Sequence, residues 1–198
     1  TPPRYFSSAA SDVYKRQTPI TAQEVLSFWF EELEPKDWFV SSEQLDNTIT
    51  QRFGDLLQRA AQSELYSWRT NALGRLAEVI VLDQFSRNVY RNTPKAFAQD
   101  PLALALAQEA IALGKDVELS PTQQSFLYMP FMHSESLLIH ERAVELFKAP
   151  GMENNYEFEI KHKVIIDRFG RYPHRNEILG RESTAEEIEF LTQPGSSF

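Results

Sequence analysis

From Thr21 to the end of the chain, apolar residues recur at helical spacing, and no stretch alternates apolar with polar between hairpin turns. This periodicity constrains the fold more than any other feature, because it predicts helix after helix and no sheet. Thr21-x-x-Glu24 is a capping box, in which hydroxyl and carboxylate each satisfy an orphan backbone N–H. The run it precedes, Val25, Leu26, Phe28, Trp29, Phe30 and Leu33, is apolar on more than one face and so packs on several sides. A second helix is predicted from Ser42, with Leu45, Ile49, Phe53, Leu56, Leu57 and Ala60 in a single stripe. A third, from Asn71, carries Leu73, Leu76, Ala77, Ile80, Val81 and Phe85. Asp100-Pro101 reads as a cap and an N1 proline before Leu102 to Leu113, with Gly114 as the stop. Ser120-Pro121 repeats the device for a short helix that ends near Met129, because Pro130 follows. Further helices are expected over 134–148, with Ser134 as cap, and over 155–169, ended by Gly170. Thr184-x-x-Glu187 caps a last short one. The expected fold is all-α, a single domain over residues 18–198 of about eight helices in stacked hairpins. Its arrangement is similar to a tetratricopeptide superhelix, without the recurring Trp, Gly, Tyr, Ala and Pro pattern of such repeats.

Composition narrows the partners. A chain of 198 residues with 42% hydrophobic content supports one well-buried core, and two full domains would be tight. No run approaches the roughly 20 apolar residues that span a bilayer, so no membrane partner is expected. The lack of cysteine excludes disulfides, thiolate chemistry and thiolate metal sites, and fits a reducing, cytoplasmic compartment. A net charge of −8 argues against nucleic-acid or anionic-membrane binding, which needs a basic surface. Residues 1–17 hold no apolar run long enough for a signal peptide. The string from Ser8 to Gln17 resembles a spurious leader found on unrelated translations, so this segment is read as a non-native or disordered leader outside the fold.

Polar residues gather at three helix junctions. In the first, Asp83, Gln84, Arg87, Asn88 and Arg91 follow a continuously apolar run, Val79 to Leu82. Asp83 and Arg87 are four apart and share a face. They are either a surface ion pair at a helix end or buried charges that need partners. In the second, His133 precedes Ser134 and Glu135, and it is either a structural histidine at the Pro130 turn or a general base facing a pocket. In the third, His162, Arg168, Arg171, His174, Arg175 and Asn176 surround Gly170, Pro173 and Gly180. Between 161 and 181, six Lys or Arg stand against Asp167 and Glu177, a local cation surplus in an acidic chain. Those arginines either cap the carbonyls of the helix ending at Phe169 or grip an anion, for which an arginine fork beside an amide is suited. No chelating histidine spacing, Gly-rich phosphate loop, nucleophile elbow or dinucleotide fingerprint occurs, so neither metal nor cofactor is expected.

Five segments in this order resemble one family. They are Val25 to Phe30, Leu82 to Asn88, Ala96 to Asp100, Pro130 to Glu135, and Arg168 to Arg181. Together they resemble the domain-of-unknown-function 924 family of tetratricopeptide-like helical proteins, found mostly in bacteria, over residues 20–198. Ser86 stands where proline is expected in many relatives. The resemblance implies an all-helical, superhelical fold and no particular reaction.

The expected function is a polar pocket of Asp83, Gln84, Arg87, Asn88, Arg91, His133, Glu135, His162, Arg168, Arg171, His174, Arg175 and Asn176. It would bind, or act on, a small anionic ligand or a peptide carboxylate. If the site is catalytic, His133 is the base, Arg87, Arg171 and Arg175 are the anion clamps, and Asp83 fixes an arginine. The alternative is a protein–protein scaffold in which the same residues form a buried structural network.

Overall fold

The computed structural model describes residues 19–197, so the leader expected over residues 1–17 lies outside the described residues. Helices begin where a side chain can satisfy the backbone. The capping box at Thr21 opens α1 (Ala22–Ser27), Ser42 opens α2 (Glu43–Ala61), and Asn71 opens α3 (Ala72–Ile80). Each such cap contributes about 1 kcal/mol. After α3 come α4 (Ser86–Val89), α5 (Asp100–Ala112), α6 (Pro121–Met132), α7 (Leu137–Phe147), α8 (Glu153–Phe169) and α9 (Ala185–Leu191). Ser120 and Thr184 form the capping boxes of α6 and α9, and Gly170 ends α8 in the left-handed conformation, φ 67°. Two stretches widen into π turns: α1 continues through Phe28–Glu32, and α3 continues through Val81–Phe85 into α4. Since α3 and α4 are one unbroken rod, the described residues form eight helical rods and no strand, the all-α fold that the periodicity predicts.

Two rods have no solvent-facing side where they cross the core. Residues 76–86 and 125–132 are buried throughout. A helix apolar all round has to be surrounded, and α6 is, by α3, α5, α7 and α8. Aromatic rings fill the space between α1, α2 and the α3–α4 rod: Phe53 lies 5.0 Å from Phe28 and 4.9 Å from Phe85, centroid to centroid. Pairs of this kind add about 0.5–1.5 kcal/mol each beyond area burial. A second, smaller cluster of Ile165, Ile166 and Tyr172, with Phe169 and Phe190 against it, seats the loop after α8 and the last helix.

Three boundary expectations are corrected. Helix α6 does not stop near Met129 but runs through Pro130 to Met132. An internal proline costs about 3 kcal/mol, and the packing of a fully buried segment outweighs it. Asp100 is not the cap of α5, because Gln99 holds that position and makes no side-chain bond to the backbone. The Asp100 carboxylate turns instead to Arg87, and a charge-assisted fork is stronger than a bond to one backbone amide. Ser134 caps nothing either: α7 begins after Ser136, and His133 is the C-cap of α6 rather than the residue before a new helix.

Close approach also shapes the fold at Gly74, where α3 presses on the turn before it. A Cβ built there would stand 2.0 Å from the Trp68 carbonyl oxygen. Gly74→Ala is expected to lower the unfolding free energy by about 2–3 kcal/mol, because displacing that backbone outweighs the helix propensity gained. Urea denaturation midpoints of the two proteins check this; an equal or higher midpoint for the variant would contradict it.

Candidate functional site

A cavity of about 610 Å³ opens between the turn at residues 38–41, the end of the α3–α4 rod, the end of α6, the first half of α8 and the loop at residues 172–178. Its polar part is built on Asp83, which the π turn carries into the core with no exposed surface. Asp83 Oδ1 receives His133 Nδ1 at 2.8 Å, and Gln84 Nε2 donates to Oδ2 at 2.6 Å. Arg87 Nη1 donates to the Asp83 carbonyl at 2.7 Å and to Oδ1 at 3.3 Å. The same guanidinium forks onto Asp100, Nη1 to Oδ1 at 2.9 Å and Nη2 to Oδ2 at 3.0 Å.

Arg175 sits beside this group in a different condition. Its side chain retains 8% of its exposure, and its guanidinium carbon lies 4.5 Å from the Phe97 ring and 4.6 Å from the Tyr172 ring. Its hydrogen bonding is poor. Nη1 reaches Asp100 Oδ2 at 3.4 Å, Nε is enclosed with no partner, and Nη2 has none among the described residues. Asp100 is already taken by Arg87, so Arg175 is buried against two π faces and the far edge of a shared carboxylate. Burial and the neighbouring Arg87 charge lower its pKa, with Asp100 opposing them.

The thirteen residues expected to form the site divide. Gln84, Arg87, Asn88, Arg91, His133, His162, His174 and Arg175 line the cavity, and Asp83 supports it from behind. Arg91 and Asn88 are held by Asp46: Arg91 Nε and Nη2 reach its carboxylate at 2.5 and 2.8 Å, and Asn88 Nδ2 at 2.8 Å. Four others lie outside the lining, against expectation. Arg168 pairs with Glu186, and Arg171 forks onto Glu187 at 2.7 and 2.8 Å. Asn176 bonds Ser183, Glu187 and Arg181. Glu135 receives the Tyr172 amide at 2.7 Å and both Nη atoms of Arg181, so it orients the loop and not His133. The reason is the acids that follow the loop: Glu186 and Glu187, in the first turn of α9, take Arg168 and Arg171, and the Glu182 carbonyl accepts a further Arg171 donor. Nor does Asp83 fix an arginine alone, since it holds His133 as well.

Sequence reasoning missed Asp100, Asp46, Phe97 and Tyr172. Asp100 before Pro101 reads as a cap, and Asp46 stands in the first turn of α2, where a carboxylate suits the helix dipole and draws no notice. Tyr172 lay within the arginine loop without a role. Its hydroxyl donates to the Met132 carbonyl at 2.5 Å and so ties that loop to the end of α6. Among the described residues no group of three or more His, Asp or Glu side chains is placed to hold a metal ion.

Burial sets the protonation of the site. It disfavours charge on Asp83, but attraction to His133 and Arg87 and the hydrogen bonds from His133 and Gln84 prevail and keep the carboxyl below its usual range. For His133, burial and then the Arg87 charge outweigh Asp83 and lower the ring. An ionised carboxylate only accepts, so His133 Nδ1 carries the proton and Nε2 keeps its lone pair. Nε2 has no hydrogen-bond partner among the described residues. Burial lowers His162 to about 3 and His174 to about 4.

All three imidazoles are thus neutral in the fold, whereas the unfolded chain takes up their protons as pH falls through about 6.5. Stability is fully present above that value and is lost on acidification. Glu159, raised by burial, offsets at most one proton of this difference. Counting His162 and His174 alone, the unfolding free energy is expected to fall by about 1–3 kcal/mol per unit between pH 6 and 5, a difference of one to two protons. Urea unfolding across that range measures it, and a flat profile would mean that the imidazoles are charged in the folded protein.

Comparison with known proteins agrees with this frame. The family model described as a bacterial protein of unknown function, DUF924, matches residues 25–195. A solved structure of a protein of unknown function from Agrobacterium tumefaciens is similar, with 39% identity and a TM-score of 0.82, covering 86% of this chain and 96% of that one. Among curated proteins none matches. An all-helical frame shared at that level, with a family match across nearly all of its helices, makes the chain a member of the DUF924 family.

Proposed function

We propose that the cavity binds a small organic anion, gripped by Arg175 and framed by Arg87 and His133. The observation that carries this reading is the unmet hydrogen bonding of Arg175. A guanidinium has donors on all three nitrogens, and burying charged donors without acceptors costs several kcal/mol. A carboxylate or phosphate edge supplies the missing acceptors in the planar geometry that the fork requires. The Asp83–His133 pair equips the same site with a base, since the carboxylate fixes the tautomer that leaves Nε2 able to accept a proton. Successive helices packed on one another, α5 on α6, α6 on α7 and α7 on α8, support a tetratricopeptide-like reading of the frame.

A second reading, a scaffold for protein contact with a structural polar network, is supported for other residues. Arg91, Arg171 and Arg181 each fork onto one carboxylate. The two readings divide the polar residues between them instead of competing for the same ones.

Thermal unfolding in the presence of phosphate, acetate, succinate and citrate tests the first reading. An anion at about 100 times its Kd should add about 2.7 kcal/mol, or roughly 5–10 °C for a chain of this size. Arg175→Met is expected to abolish the shift. Arg171→Met, altered outside the cavity, is expected to keep it. A shift that survives Arg175→Met unchanged would move the site elsewhere, and no shift with any anion would refute the reading.

A further inference from the structure

Apolar side chains of large size stand exposed at the mouth of the same cavity. Phe39 keeps 66% of its exposure, Val40 59% and Phe158 41%, and all three line the cavity that holds Arg175. The first two are not exposed through looseness. They end the 3-10 turn Pro35–Phe39, which Trp38 pins by donating from Nε1 to the Trp29 carbonyl at 2.8 Å and by setting its ring edge-on to Phe126 at 5.0 Å. Phe158 faces the cavity from α8, a separate element. Met129, Met132 and Ile178 continue the apolar lining. Large apolar groups gathered around one concave mouth leave an area that gains free energy when covered.

The polar end limits the charge of what enters. Arg87 and Arg175 are balanced by Asp83 and Asp100, and His133 is neutral, so the formal charges beneath the cavity cancel. One added negative charge can be met by the free donors of Arg175 and by a proton on His133. A phosphate monoester, carrying about −1.5 to −2 at neutral pH, would exceed that supply.

We infer that the ligand is a monocarboxylate carried on an apolar body: its carboxylate meets Arg175, and its aliphatic or aromatic part lies against Phe39, Val40 and Phe158. This rests on the anion-binding reading and names the substrate class for it.

Titration calorimetry with acetate, butyrate, hexanoate and octanoate tests it, with 1-hexanol as the uncharged control. Affinity is expected to rise about fourfold per methylene added. Phe39→Ala and Phe158→Ala together should flatten that rise and leave acetate binding unchanged. These side chains are partly or largely exposed, so the fold should tolerate the pair, and circular dichroism checks that it does. Hexanol binding as tightly as hexanoate would overturn the carboxylate half of the inference. Anion binding without chain-length dependence would overturn the apolar half while leaving the anion reading intact. If neither acetate, phosphate nor the longer acids bind, the anion reading itself falls. A short peptide ending in leucine, compared with its C-terminal amide, distinguishes a free acid from a peptide terminus as the source of the carboxylate.

Discussion

A carboxylate with no exposure to water, Asp83, sits at the joint on which the polar half of this protein depends. Leaving such a charge unpaired in a core costs several kcal/mol, so its surroundings have to supply donors from more than one element. They come from the next residue on the same rod, Gln84, from Arg87 one turn on, and from His133 at the end of α6. The α3–α4 rod and α6, which pack against each other, are thereby also joined by a buried polar contact. The π turn through Val81–Phe85 is part of the device, since it brings Asp83 into a rod that is buried all round. Wide turns of this kind recur at functional positions because they re-aim side chains without ending the helix.

Satisfying Asp83 has a consequence further along the chain. Arg87, recruited to it, also takes both oxygens of Asp100, and Arg175 is left with the far edge of that carboxylate and the faces of two aromatic rings. At the polar end of the cavity a well-paired cation, Arg87, therefore stands beside a poorly paired one, Arg175. The other arginines of that loop and the helix before it are matched: Arg171 with Glu187, Arg181 with Glu135, Arg168 with Glu186. Structural ion pairs and the proposed ligand grip draw on the same residue type within one short loop, and only hydrogen-bond accounting tells them apart.

Much of the fold was legible because helix signals are local. The capping boxes at Thr21, Ser120 and Thr184, the stripe on α2 and the glycine after α8 depend on residues within a turn or two of each other. The boundaries that went wrong are those where a distant partner outbid a local rule. Pro130 should have stopped α6, but four neighbouring helices enclose that segment. Asp100 should have capped α5, but Arg87, thirteen residues away, offered a stronger bond.

The sequence by itself determined that the chain is a set of helices, most of the residues that face inward along them (Leu73 and Val164 turn out exposed), and that polar residues collect at three junctions. It determined this much because helical periodicity, capping and turn chemistry act between near neighbours. Only the tertiary structure decided which arginines are spent on carboxylates and that Arg175, at the cavity, is left underpaired. It also decided that His133 turns one nitrogen to Asp83, and that Phe39 and Phe158 meet around the same opening. Each of these depends on which acid or ring the packing brings within about 3–5 Å of a given side chain, and residue spacing along a chain does not encode that distance.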